Sequence, residues 1–208
     1  MHTFALLALV SFTSPITKIT MGLDMYASRR LHVKQWEHQR PNERYKVRIE
    51  YAGKPVKGIR ESCISDVEEE VMYWRKANHI HAWFVDNVQD GQDDCKPYYV
   101  DWDDLDQLRA VCQNVITTTR LVRGPVLVNK VWNSKHQTWD EHREPGWVIE
   151  NPTFAETHLP RREGCFFGHY DYDERYLDDV FKTRDWVDRM MTDRQSGVPG
   201  EIYYYSSW

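Results

Sequence analysis

From residue 64 to residue 88 apolar side chains recur at alternating steps of three and four. Ile64, Val67, Val71, Trp74, Val85 and Val88 follow this rhythm, and Asn78 and His81 occupy the two steps in between. That spacing lines one stripe of an α-helix, so the pattern predicts a helix over 65–87. Ser65 followed by Glu68 matches a capping box, and Asp66, Glu68, Glu69 and Glu70 put negative charge at the positive end of the helix dipole. Turn formers over 87–91 end it.

Other patterns are shorter. Alternation predicts strands over 22–33, where Leu23, Met25 and Ala27 share a face, and over 45–51, where Tyr45, Val47, Ile49 and Tyr51 do. A short strand at 98–100 precedes a helix capped by Asp101 or Asp103, with Leu105, Leu108, Val111, Cys112 and Val115 on one side. Segments 125–131 and 147–149 read as a hairpin around a polar loop holding His136 and His142, and 151–160 has room for one helical turn. An apolar strand at 165–168 leads to a helix capped by Asp173, with Leu177, Val180, Phe181, Val187 and Met191 inward, and an aromatic strand at 201–208 closes the chain. These elements predict an α+β fold: one domain over 21–208, with an antiparallel sheet of four to six strands and about three helices packed on it. The aromatic strands at its two ends are expected to pair.

Residues 1–20 differ from the rest. FALLALVSF at 4–12 has the length of a signal-peptide core, but no Lys or Arg precedes it and no A-x-A site follows. It is too short to span a bilayer. Met21 opens what reads as a fresh start, so 1–20 are expected to be a start assigned too far upstream or a disordered leader, with a secretory signal as the alternative.

Asn78 and His81 carry the chemistry of the long apolar stripe. A second file, Tyr73, Ala77, Ile80 and Phe84, widens the buried face, so both polar side chains are expected inside it. An unpartnered amide or imidazole there costs about 1–3 kcal/mol, so each needs a hydrogen bond, a ligand or water. Two readings stand: an internally satisfied pair, or the polar floor of a cleft walled by Trp74 and Trp83. His79 points about 200° from His81 on a helix and cannot share a metal with it, which places His79 at the surface. Asp86, Asp90, Asp93 and Asp94 do not match a calcium loop and read as a solvated acidic segment. His169, Asp171 and Asp173 alternate in a way compatible with metal or acid–base chemistry, but Asp173 also fits as a helix cap. No metal set and no cofactor fingerprint emerges.

Composition narrows the classes. The chain has 208 residues, and its net charge of −5 comes from 27 basic and 32 acidic residues in mixed order, which leaves no basic footprint for duplex nucleic acid. Nine Trp, twelve Tyr and seven Phe mean an aromatic core, a ring-lined pocket or an interface. Cys63, Cys95, Cys112 and Cys165 form no C-x-x-C pair and read as reduced thiols of a cytoplasmic protein.

Several segments recur together in a recognisable order: MGLDMY at 21–26, EEEVMYWRKAN at 68–78, IHAWFVDNVQDG at 80–91, DDC at 93–95, VIENP at 148–152, CFFG at 165–168, YDERYLDD at 172–179 and the ending YYYSSW. On these motifs the chain resembles an uncharacterised family of small proteins encoded by tailed bacteriophages and prophages, over roughly 21–208. The resemblance implies Met21 as the natural start and an infected bacterial cell as the setting, without export, and it brings no mechanism. Residues 1–20 and the His-rich 134–143 loop depart from it. The function expected is a non-enzymatic accessory binder of a host protein or small ligand, with Trp74, Asn78, His81, Trp83 and His169 as binding residues. The alternative is a small enzyme with His81 as general acid or base, Asn78 orienting, and Asp93, Asp94 or His169 completing the site.

Overall fold

Strand β1 (Asp24–His32) is the axis of the molecule, because both of its edges are taken. On one side it pairs with β4 (Asp66–Arg75) and on the other with β8 (Glu201–Ser207), which pairs in turn with β5 (Tyr98–Val100). The result is a four-stranded antiparallel sheet, β4-β1-β8-β5, in an α+β fold. The computed structural model describes residues 22–164 and 166–208, so the leader expected over 1–20 and the start at Met21 lie outside the described residues. Strands β2 (Glu50–Tyr51) and β3 (Lys54–Pro55) make a minimal ribbon, and β6 (Leu121–Asn133) with β7 (Thr138–Ile149) make a long hairpin. Helices α1 (Asn78–Asn87), α2 (Trp102–Thr118), the short α3 (Thr153–His158) and α4 (Glu174–Gln195), with 3-10 turns at Pro41–Glu43 and Glu61–Cys63, complete the described elements. No helix among the described residues is long and apolar enough to cross a membrane.

The helix expected over 65–87 is not formed: its first half is β4 and only its second half is α1. Consecutive glutamates are poor strand formers, but here three acids of the run, Asp66, Glu68 and Glu69, find partners on β1. Arg29 lies 2.9 Å from Glu69, Arg30 3.4 Å from Glu68 and His32 2.9 Å from Asp66 across the two strands. Such partners lie about forty residues away and no local window contains them. The chain then breaks at Lys76, whose φ of 60° is left-handed and whose N–H is held by the Leu23 carbonyl. Gly168, at φ 99°, packs against that corner, where a Cβ would meet the Lys76 Cβ at 2.9 Å. Ser65 therefore caps nothing, and the acidic run is strand rather than helix start.

Other expectations divide. The strand at 98–100, the Asp101 capping box on α2 and the Asp173 cap on α4 are formed as the sequence implied, and β1 and β8 pair along seven residues from Asp24↔Ser207 to Arg30↔Glu201. The strand expected over 45–51 shrinks to Glu50–Tyr51, because that segment has no sheet edge to join. The apolar stretch at 166–168 is a turn and loop instead of a strand. The hairpin runs further than expected, so His142 lies in β7 while His136 stays in the turn. Phe181 is 37% exposed rather than inward.

One face of the sheet and the helices enclose the core. Helix α1 is buried along eight consecutive residues from Asn78 to Val85, which is why its pattern carries no polar face. Trp74 from β4 meets Trp186 of α4 edge-on at 5.2 Å and donates its Nε1–H to Thr183 at 2.9 Å. Phe84 stacks on Tyr204 of β8 with ring centroids 3.9 Å apart. Helices α2 and α4 close the layer with Leu105, Leu108, Cys112 and Val115 against Tyr176, Val180 and Val187.

Candidate functional site

Asn78, His79 and His81 start the buried helix α1; the first two find partners in the segment 161–169, the third on β8 and in the acidic loop. Asn78 donates through Nδ2 to the carbonyls of Phe167 at 3.1 Å and His169 at 3.0 Å, and its Oδ1 accepts from Arg161 at 3.4 Å. His81 sits in a chain of polar groups: Nδ1 is 2.8 Å from the Tyr204 hydroxyl and Nε2 is 2.9 Å from Asp93 Oδ2. A carboxylate only accepts, so Nε2 carries the proton and Nδ1 accepts from the tyrosine. The other Asp93 oxygen takes the Trp208 Nε1–H at 3.0 Å. Burial drives the His81 pKa below its ordinary value against the pull of Asp93, and it drives the Tyr204 hydroxyl well above its own.

His79 corrects the sequence reading: it is wholly buried, not at the surface. Arg161, its guanidinium held by the Asp171 carbonyl at 2.6 Å and placed 4.8 Å from the Tyr176 ring centroid, donates to His79 Nδ1 at 3.3 Å. Burial first, and then the Arg161 charge, push the His79 pKa far down, so the ring stays neutral.

The cleft expected at Asn78 and His81 is not formed. Both side chains are completely buried, Trp74 is a core residue at 2% exposure, and Trp83 at 6% packs on Phe84. Asp93 does reach His81 as expected, but Asp94 pairs with Lys96 instead, and His169 meets Asn78 only through its carbonyl. Asp171 and Asp173 turn away from His169 to Arg143 and Arg175. Among the described residues no three His, Cys, Asp or Glu side chains converge as metal ligands. With Tyr204 and His81 sealed, substrate contact would require the last strand and the Asp93 loop to part. The arrangement acts as an internal clasp joining α1, the acidic loop and the C-terminus.

The other side of the sheet is different. Register places Tyr73, Tyr26 and Tyr205 side by side across β4, β1 and β8. In the next row lie Glu70, Ser28, Tyr203 and Tyr99. Tyr26 stacks on Tyr205 at 4.8 Å and meets Tyr73 at 5.2 Å, while Tyr73 and Tyr99 are 43% and 46% exposed. The helices lie on the opposite face; on this one Tyr73 and Tyr99 are exposed and Tyr26, Tyr203 and Tyr205 are half-buried.

No family model, curated protein or solved structure matches the chain.

The residues that complete the buried clasp, Tyr204, Trp208 and Arg161, are ones that sequence reasoning missed. Only the alternation of YYYSSW, which turns Tyr204 inward and Tyr203 and Tyr205 outward, carried a usable signal for the tyrosine face. Its assembly from four strands depends on pairing between residues far apart in the chain, such as Tyr26 with Tyr73 and with Tyr205.

Proposed function

We propose that the chain is a phage-encoded accessory protein that binds a host protein in the infected cell, without catalysis, through the tyrosine face of its sheet. One observation carries this reading: five tyrosines, Tyr26, Tyr73, Tyr99, Tyr203 and Tyr205, share the sheet face opposite the helices, each of them at least partly exposed, whereas Asn78 and His81 are sealed in the core. Exposed rings in a contiguous group are costly in water and are enriched where proteins meet. The motif resemblance to phage and prophage proteins supplies the setting.

The test is affinity capture from infected-cell lysate with the parent chain, the face variant Tyr26→Ser/Tyr205→Ser, and the hairpin variant Trp139→Ser. A host protein retained at stoichiometric level by the parent and by W139S, and lost by the face variant, supports the proposal. Equal capture by all three overturns it. So does a stoichiometric small molecule released from the denatured parent with no protein partner.

A further inference from the structure

The tyrosine face has a gap. Ser28 is the one small residue in its row, flanked by Glu70 on β4 and Tyr203 on β8, and the space above it is a pocket of about 220 Å³ lined by Tyr26, Ser28, Glu68, Glu70 and Tyr205. Ser28 is only 4% exposed, and its Oγ has no hydrogen-bond partner. A buried hydroxyl facing a pocket without a partner is an acceptor and donor held in place for something that enters.

The walls specify what enters. Tyr26 and Tyr205, stacked on one another with centroids 4.8 Å apart, wall the pocket as one pair, and two carboxylates stand beside them. Glu68 is engaged by Arg30 at 3.4 Å, whereas Glu70 has no ion-pair partner among the described residues. The Tyr205 hydroxyl is raised above its ordinary pKa by burial and then by Glu70 and Glu68, which marks the same excess of negative potential. The face already holds one guanidinium of its own: Arg30 sits 4.3 Å from the Tyr203 ring centroid. A phosphate would meet Glu68, Glu70 and Glu201 here, so nucleic acid is disfavoured although aromatic sheets can stack bases.

We infer that this pocket receives the arginine or lysine side chain of a partner polypeptide, its cation set against the Glu70 carboxylate beside the stacked Tyr26–Tyr205 pair and donating to Ser28 Oγ. This deepens the proposed function and rests on it, since it names the chemistry that the partner must present. With Arg30 already paired to Glu68, Glu70 is the carboxylate left open to one further positive group.

The probe is a short dye-labelled peptide of alternating arginine and glycine, followed by fluorescence anisotropy at low salt against the full chain. Its counterpart carries citrulline, which keeps the shape of arginine without the charge. Binding of the arginine peptide is expected to fail for the citrulline peptide and to weaken about threefold to fivefold in Glu70→Gln, which is exposed and leaves the fold intact. Ser28→Leu, filling the gap, is expected to abolish binding in a chain whose melting curve confirms it folded, and Asp66→Asn, on the same face but away from the pocket, to change it less than E70Q does. Equal binding of both peptides, no difference between parent and E70Q, or free arginine competing at the peptide's own affinity each overturns the inference. Host-protein capture that depends on Tyr26 and Tyr205 but ignores E70Q would overturn only the cation pocket, while capture indifferent to the tyrosines removes the broader proposal.

Discussion

Replacing Tyr204 with phenylalanine isolates one buried hydrogen bond. The ring, stacked on Phe84 at 3.9 Å with planes 8° apart, stays where it is, and only the hydroxyl 2.8 Å from His81 Nδ1 is removed. No water replaces it, because both side chains are fully buried. The imidazole acceptor is then left bare in a low-dielectric site, and an orphaned buried acceptor costs about 1–3 kcal/mol. At roughly 2–4 °C per kcal/mol for a chain of this size, Tm is expected to fall by about 2–12 °C. Urea unfolding followed by circular dichroism measures the loss directly, with the slope unchanged. His81→Leu removes the other partner, and the double variant is expected to be more stable than the two single losses added together, by about 1 kcal/mol, because two apolar groups need no partner. Nitrogen NMR of His81 adds an independent check, since the bond pattern requires the proton on Nε2. A Y204F chain within about 0.5 kcal/mol of the parent, strictly additive losses, or a proton on Nδ1 would each refute the clasp.

Other expectations follow from the same core. His79 and His81 are held neutral below their ordinary pKa, so between about pH 6.5 and the lower folded pKa values the unfolded chain binds protons that the folded chain does not. Stability is therefore full above that window and falls with pH inside it, by up to about 1.4 kcal/mol per pH unit for each histidine. Asp179 works in the opposite sense. Burial raises its pKa to about 6, so the folded chain takes up its proton first as the pH drops, and Asp179→Asn is expected to raise stability near neutrality and steepen the acid loss; urea midpoints across the pH range read both. Asp173→Ala removes the cap that accepts from the Tyr176 N–H at 3.1 Å and the carboxylate paired with Arg175 and the buried Arg161, and a loss of about 2–4 kcal/mol is expected in chemical denaturation. Gly168→Ala would force a Cβ into Lys76 at left-handed φ, and about 1–3 kcal/mol of destabilisation is expected by thermal melting; an unchanged Tm would show that the corner relaxes freely.

How far the chain could be read in advance depended on where each residue's partners lie. Helices α2 and α4 were legible because a cap and an apolar stripe are local: Asp101 and Asp173 answer to amides two or three residues on. Strands β1, β5 and β8 were legible because alternation is local too. By itself the sequence determined the α+β class, those element positions, and the fact that Asn78 and His81 turn inward. Tertiary structure decided what the 65–87 pattern becomes, since spacing of three and four fits a strand with a bulge followed by a helix as well as it fits one rod, and only Arg29, Arg30 and His32 on a neighbouring strand make three acids favourable in extended backbone. It also decided that the inward-turned pair meets carbonyls, a hydroxyl and a carboxylate instead of a cleft, and that Tyr26, Tyr73, Tyr99, Tyr203 and Tyr205 share one surface. Those outcomes depend on contacts between residues far apart in the chain, which local propensity cannot encode.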